Sequence, residues 1–174
     1  MKNLFRLSSI SKSIITLNTG IAVIYFWFVI KKYLQGLSYR ADFTAFYTGW
    51  TMVREGVGTK IYDFGLQIQY QHRILDKLIA GNGILAFYYP PHVALIFSPL
   101  SYLPLNAAYV TWSFGQLLLL IWFISYMRRQ TKIEGWTRRE QFLLFSAILA
   151  MPSLMITFQL GTFSLIMLIA LMGF

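Results

Sequence analysis

Three long segments without a charged residue constrain this chain more than any other feature. They cover residues 13–30, 78–127 and 141–174. A helix of about 20 apolar residues, rising about 1.5 Å per residue, crosses a hydrocarbon core about 30 Å thick. Only 12% of the residues are charged, whereas soluble domains have about 25%. Because so few charges cannot cover a soluble surface, we predict an all-α, polytopic membrane protein.

Prolines, glycines and flanking cations divide these segments into spans. Lys31 and Lys32 follow the first segment, which is longer and more aromatic than the core of a cleaved signal peptide, the alternative interpretation. Prolines at 90, 91, 99 and 104 exclude a straight helix before residue 105. The last segment is too long for one span, and Gln159 and Gly161 mark a turn within it. The predicted spans are about 13–30, 105–127, 138–158 and 162–174.

The fourth predicted span is too short to cross a bilayer, because the sequence stops within an apolar run at Phe174. We therefore expect residues 1–174 to form the N-terminal part of one larger membrane domain. A truncated product, or a short intact protein that works with a partner, is the alternative.

Basic segments predict the orientation of the chain in the membrane. Cations are dense in the N-terminal residues 1–12 and in the loop 128–137 and its flank, and the formal net charge is +9. The positive-inside rule places both segments in the cytoplasm and residues 31–104 outside. The protein is thus expected in the plasma (inner) membrane with a cytoplasmic N-terminus. We attribute the positive charge to the orientation of the chain in the membrane and to contacts with membrane lipid headgroups. No nucleic-acid partner is predicted.

The outer loop contains two amphipathic patterns. From Asp42 to Glu55, apolar residues recur at helical spacing and form an aromatic face. A second pattern runs from Asp63 to Ala80. Both predict helices that lie at the outer membrane face. The aromatic residues are expected mainly to anchor and pack, although a few could stack on a sugar. The aromatic-face positions are Phe43, Phe46, Tyr47, Trp50 and Val53.

Four of the six acidic residues carry specific predictions. Asp63 precedes a helical pattern and is predicted to be its N-cap, and Thr137 with Glu140 forms a predicted capping box. Glu55 lies beside Arg54 near a predicted helix end. Asp42 follows the first span closely within an aromatic setting, and from chemistry alone an N-cap role is the alternative to a functional one.

Other polar groups give weaker signals. The chain has no Cys and only two His, so no spacing of metal ligands is present and no metal site is predicted. His72 suits a helix surface, whereas His92 adjoins two prolines where a phosphate contact is conceivable. Gln116 and Gln159 lie in or near spans and need partners there, which makes them functional candidates, with a bond to a neighbouring helix as the alternative for Gln116.

An ordered set of short motifs resembles glycosyltransferase family 87. It begins with Asp42-Phe43-Thr44-Ala45-Phe46-Tyr47 and continues with Gly56 to Gly58 and Ile61-Tyr62-Asp63. It ends with Phe87-Tyr88-Tyr89-Pro90-Pro91-His92, Pro99-Leu100, Leu103-Pro104, Ala107-Ala108 and Trp112. Each motif alone is common, but the order is moderately specific, and the resemblance extends from about Arg40 to Leu171.

The resemblance implies a GT-C fold with roughly ten spans, of which this chain would hold the first third. It implies transfer of a sugar, mostly mannose, from a polyprenyl-phosphate donor to a glycan or glycolipid acceptor on the outer face. No cofactor is predicted, and the need for a divalent metal stays open. Asp42 matches the expected catalytic base in the first outer loop. The family often has a Gly-Gln pair between its third and fourth spans, whereas this chain has Phe158-Gln159-Leu160-Gly161, which leaves the role of Gln159 open.

The chemistry of such a donor requires few groups. Phosphate is already a good leaving group, so one carboxylate that deprotonates the acceptor hydroxyl suffices, and direct attack inverts the anomeric carbon. A cation should meet the released phosphate. A membrane scaffold or transporter segment, or an inactive truncated product, is the alternative to an enzyme. The candidate substrate-binding residues are Arg40, Tyr47, Lys60, Arg73, Tyr89, His92 and Gln159.

Overall fold

The structure is a computed structural model that describes residues 2–34, 41–75, 85–130 and 135–172. Every regular element in these ranges is helical, which confirms the predicted all-α class. Two short 3-10 helices, Gly58–Lys60 and Ser98–Tyr102, connect the longer ones. The α-helices are α1 (Lys2–Leu34), α2 (Ala41–Arg54), α3 (Phe64–Ile74), α4 (Pro91–Phe97), α5 (Leu105–Gln130), α6 (Arg138–Leu149), α7 (Pro152–Leu160) and α8 (Ser164–Met172).

Two of the described helices are long and apolar enough to cross a membrane. They are α1, over Ser9–Phe28, and α5, over Leu105–Gln130. α6 and α7 form a third candidate span if counted together, but they are bent by 47°. Pro152 opens α7, and a proline has no backbone N–H and clashes with the preceding turn, which accounts for the break. The chain is therefore a membrane protein with two or three candidate spans.

The prediction of four spans is not confirmed. The fourth was placed at 162–174, and the structure has the nine-residue helix α8 in that range, which is not among the candidate spans. The third was placed at 138–158 as a single helix, and the structure divides it at Ala150 and Met151. The GT-C arrangement and the assignment of the segments to one membrane domain remain predictions.

Contacts divide the chain into two compact units. The first, here called the span unit, comprises residues 1–35, 116–159 and 163–174. Within it, the Tyr25 hydroxyl lies 2.7 Å from the Met155 carbonyl oxygen and 2.7 Å from Oε1 of Gln159. Phe158 packs with Leu120 and Leu165 in a small apolar core. Many large apolar side chains of α1 and α5 are exposed, as expected of helices in contact with hydrocarbon.

The second unit, here called the loop unit, comprises residues 36–115 and 160–162, and α2 forms its centre. Residues 43–52 are all buried, and α3, α4 and the 3-10 helix Ser98–Tyr102 pack against them. The predicted aromatic face is confirmed, and the location of α2 at the outer membrane face remains a prediction, but α2 does not expose the polar face expected of an amphipathic helix. The reason is that α2 is covered on every side, and hydroxyls on its inner turns bond to its own backbone, as in Thr48 to Thr44 O at 2.8 Å.

Both ends of the α2–α3 connection follow local rules. Gly56 has φ +81°, and the Val57 N–H donates to Met52 O at 2.9 Å, which is the C-terminal hydrogen bond of a Schellman motif. Asp63 accepts from the Leu66 N–H at 3.0 Å and caps α3, as predicted. α3 ends at Ile74 rather than Ala80, and residues 76–84 lie outside the described ranges.

Candidate functional site

Asp42 lies inside the first turn of α2, which begins at Ala41, and not at the N-cap position that was the alternative. Its side chain is half-buried, and this burial raises the pKa of the Asp42 carboxyl. The positive end of the helix dipole favours the ionised form at the same place. The carboxyl group is therefore weakly solvated but can still ionise, and these are the properties of a general base.

Among the described candidate residues, Tyr89 lies near enough to Asp42 to be influenced by its charge. Phe46 follows Asp42 by one helical turn, and the Tyr89 ring meets the Phe46 ring edge-on with centroids 4.8 Å apart. Burial raises the pKa of Tyr89, and the negative charge of Asp42 raises it further. The phenol thus stays protonated at neutral pH and can donate a hydrogen bond beside the carboxylate.

Two buried glutamines on α3 hold the extended segment that leads to Tyr89. Gln67 accepts from the Phe87 N–H at 2.9 Å and donates to Phe87 O at 3.4 Å and to Ile61 O at 2.6 Å. One turn later, Gln71 accepts from the Leu85 N–H at 3.1 Å and donates to Leu85 O. The two amides therefore pair with alternate residues of the segment 85–89, as a neighbouring β-strand would.

Phe87 also packs close to α2. A Cβ atom at Gly49 would lie 2.7 Å from Cδ2 of Phe87, so this approach requires a glycine at that position. The Tyr62 hydroxyl donates to Tyr89 O at 2.9 Å. Hydrogen bonds from α3 and packing on α2 together fix the backbone that carries Tyr89.

Glu55 gathers partners at the opposite end of α2. Its carboxylate accepts from Arg54 at 3.0 Å, Arg73 at 2.7 Å and Tyr70 at 2.9 Å. Partial burial acts to raise the pKa of Glu55, but the hydrogen bonds from Arg73, Tyr70 and Arg54 outweigh it and lower the pKa. In the sequence, only the adjacent Arg54 indicated a partner for Glu55, because the other partners follow much later in the chain.

The two ends of α2 are too far apart to act on one phosphate. From Asp42 to Glu55 the helix rises about 20 Å. A base that activates the attacking hydroxyl lies within about 10 Å of the leaving phosphate, given contacts of about 3 Å at each step. The Arg73 guanidinium is held at Glu55, so the structure does not bring it to Asp42. Lys60, exposed in the 3-10 helix after α2, also follows this distant end.

The remaining predicted site residues have separate surroundings. The Tyr47 hydroxyl is buried and donates to Leu103 O at 2.7 Å. His92 is exposed in α4, three residues after Tyr89. Gln159 lies in the span unit, where its amide contacts Tyr25 at 2.7 Å. Arg40 lies outside the described residues.

The described part of the chain contains no metal-binding cluster, and the buried amide of Gln116 has no hydrogen-bond partner there. No three His, Asp or Glu side chains come together there to hold a metal ion. Gln116 is 1% exposed, and neither its amide nitrogen nor its carbonyl oxygen has a hydrogen-bond partner among these residues.

Comparison with known proteins assigns the chain to a family. Residues 87–174 match glycosyltransferase family 87, and this half of the chain includes Tyr89, His92 and Gln159. Asp42 precedes the matched residues. No curated protein and no solved structure matches the chain. Because the match covers half of the sequence, the chain belongs to glycosyltransferase family 87.

Proposed function

We propose that the protein transfers a hexose from a polyprenyl phosphate to an acceptor hydroxyl on a glycan or glycolipid, and that this hexose is mannose. The observation that carries this proposal is the half-buried Asp42 carboxylate beside the Tyr89 phenol in a chain of glycosyltransferase family 87. The reaction takes place at the outer face of the plasma membrane, and the N-terminus is cytoplasmic.

Asp42 acts as the general base. The acceptor oxygen forms a bond to the anomeric carbon of the sugar as its proton moves to the Asp42 carboxylate. The bond from the anomeric carbon to the phosphate oxygen breaks, and its electron pair leaves with the polyprenyl phosphate. Attack opposite the leaving group inverts the anomeric configuration. Burial supports this role, because a weakly solvated carboxylate with a raised pKa is a stronger base than an ordinary aspartate.

Tyr89 and nearby cations complete the proposed site. The protonated phenol donates a hydrogen bond to a sugar or acceptor oxygen and orients it toward the carboxylate. Arg40 precedes Asp42 by two residues and His92 follows Tyr89 by three, so these are the candidates for contact with the leaving phosphate. Exposed aromatic side chains around the same segment, such as Tyr88, offer apolar surface to the polyprenyl chain.

The test is sugar transfer by the whole chain in lipid vesicles, with radiolabelled polyprenyl-phosphate mannose as donor and extracted membrane glycolipids as acceptors. We expect Asp42→Asn to lower the transfer rate at least about 100-fold, since a positioned base contributes about 10²- to 10⁴-fold. Asp63→Asn is the matched control, because asparagine also caps a helix, and it should transfer normally. Normal transfer by Asp42→Asn, with equal membrane insertion, would refute the assignment. A scaffold would tolerate Asp42→Asn and would not respond to polyprenyl-phosphate sugars.

A further inference from the structure

The C-terminal end of α2 borders a polar cavity that the proposed reaction does not use. Its volume is about 230 Å³, and Arg54, Glu55 and Arg73 line it together with Tyr47, Thr51 and Leu105. All of these residues belong to the loop unit. At about 20 Å from Asp42 along α2, the cavity is separate from the site of sugar transfer.

The charges in this cavity favour an anion. Two guanidinium groups face one carboxylate, so the group carries an excess of one positive charge at neutral pH. Arg54 also donates to Ser101 O, and the Arg73 guanidinium stacks on the Tyr70 ring at 4.3 Å. A guanidinium has five N–H donors in a planar fork. The hydrogen bonds of Arg54 and Arg73 within the described residues therefore leave donors available on both groups.

Leu105 connects the cavity to a candidate membrane span. Leu105 lines the cavity and is the first residue of α5, a candidate span of 26 residues. Such a helix is about 39 Å long and exceeds a hydrocarbon core of about 30 Å, so its ends reach the headgroup region, and Leu105 is at one of these ends. Tyr102 is 76% exposed just before α5, as expected of an aromatic residue at a membrane interface.

We propose that this cavity binds the phosphate group of a membrane lipid headgroup, with Arg54 and Arg73 as its ligands. Arginine forks bind phosphate oxygens in pairs, and the site lies where phosphodiesters of the bilayer are concentrated. Glu55 competes with the phosphate for the same two guanidinium groups and holds them together when no lipid is bound. The lipid would anchor the loop unit at the membrane surface.

Removal of Glu55 separates this proposal from a purely structural ion-pair network. Glu55→Gln keeps the size of the side chain but removes the competing charge, so phosphate binding should become about tenfold tighter, equivalent to about 1.4 kcal/mol. A purely structural network predicts the opposite, because loss of Glu55 would release Arg54 and Arg73 and weaken any binding.

The experiment titrates the purified whole chain in uncharged detergent with short-chain phosphatidylglycerol and follows its thermal midpoint. Arg73→Ala should weaken binding at least about tenfold. Lys60→Ala removes an exposed cation that does not line the cavity, and it should bind within about twofold of the unaltered chain. Equal loss in Arg73→Ala and Lys60→Ala, or weaker binding by Glu55→Gln, would overturn the proposal. If Arg73→Ala does not fold, the Glu55→Gln titration decides alone.

Two further probes identify the source of the phosphate. A diacyl glycolipid without phosphate should not raise the thermal midpoint, whereas inorganic phosphate should raise it only at much higher concentration than the phospholipid. Equal binding of inorganic phosphate and phospholipid would overturn the assignment to a lipid headgroup. Binding of the glycolipid at the phospholipid's concentration would overturn the role of the phosphate.

Discussion

Asp42 and Glu55 stand at the two ends of one helix, and their surroundings shift their pKa values in opposite directions. Burial raises the pKa of Asp42. At Glu55, burial also acts upward, but hydrogen bonds from Arg73, Tyr70 and Arg54 lower the pKa overall. Glu55 therefore stabilises the fold above its ordinary pKa, and this contribution is lost as the pH falls through its lowered value. For such exposed pairs the contribution is about 0–1 kcal/mol.

The raised pKa of Asp42 predicts the acid limb of the transfer reaction. The base must be ionised, so kcat/KM should fall as the pH drops through a pKa above the ordinary aspartate value of about 3.9. The sign for stability is opposite to that of Glu55, because a carboxyl pKa raised by folding makes the fold less stable as the pH rises through it. A pH–rate profile checks this, and an acid limb at or below the ordinary value would contradict the burial argument.

Tyr89→Phe tests the phenol without disturbing the packing of the ring. The ring contact with Phe46 at 4.8 Å is preserved, and only the hydroxyl is lost. We expect transfer to fall about tenfold, the value of one hydrogen bond of about 1.4 kcal/mol in the transition state. The thermal midpoint should fall by no more than about 4 °C, because the ring keeps its packing and the loss of one hydrogen bond costs about 1 kcal/mol. An unchanged transfer rate would remove the phenol from the mechanism.

Residues with local partners were predictable from the sequence, and residues with distant partners were not. Asp63 caps α3, and Thr137 and Glu140 form the predicted capping box, since both features depend only on the next three residues. The role of Glu55 was missed because Tyr70 and Arg73 come 15 and 18 residues later. Only the tertiary fold reveals this set of contacts.

At the scale of elements, α2 shows both the strength and the limit of periodicity. The spacing of its aromatic residues correctly predicts the helix and its buried face. It does not predict that Thr44, Thr48 and Thr51 are buried as well. Short hydroxyl side chains can donate a hydrogen bond to the preceding turn, as Thr51 does to Tyr47 O at 2.7 Å. A polar residue in a helical pattern therefore does not always lie on an exposed face.

Gln67 and Gln69 lie on the same helix but differ in burial, so we expect their substitutions to change the stability of the fold by very different amounts. Gln67 is fully buried, and its loss in Gln67→Leu leaves the Phe87 N–H unpaired in the core. We expect a loss of about 1–3 kcal/mol in the free energy of unfolding. Gln69 is exposed on the same helix, and Gln69→Leu should change stability by less than about 0.5 kcal/mol. Thermal unfolding in detergent measures both.

We also expect the Gln67→Leu substitution to affect sugar transfer. Because the segment 85–89 carries Tyr89, Gln67→Leu should also lower sugar transfer at temperatures where the chain is still folded, whereas Gln69→Leu should not. Equal midpoints for the two variants would show that the buried glutamine does not hold the segment. The role of Gln67 and Gln71 was not predicted from the sequence, because two glutamines four residues apart also suit a solvated helix face.

The break between α6 and α7 had a signal in the sequence that the span prediction did not use. Pro152 lies inside the predicted third span at 138–158, and the structure bends by 47° there. A proline in a helix interior costs about 3 kcal/mol or more, so a boundary near it is the expected outcome. Hydropathy alone detects an apolar segment and does not reveal where its axis changes.

At the scale of the whole molecule, the charge-free segments predicted a membrane protein correctly because lipid imposes one rule on every span. Backbone polar groups must be satisfied within the helix, and the side chains must be apolar. α1 and α5 meet this rule over Ser9–Phe28 and Leu105–Gln130. The number of spans was less predictable, because short helices such as α8 have the same composition without the same length.

The sidedness of the loop unit is the most direct test of the account, since Asp42 can act on an outer-face donor only if this unit lies outside. The chain has no cysteine, so single substitutions give clean reporters. Thr59 is exposed in the loop unit and Gly135 is exposed in the basic loop. A membrane-impermeant maleimide should label Thr59→Cys in intact cells and Gly135→Cys only after permeabilisation. Labelling of Gly135→Cys in intact cells, with Thr59→Cys protected, would contradict the account.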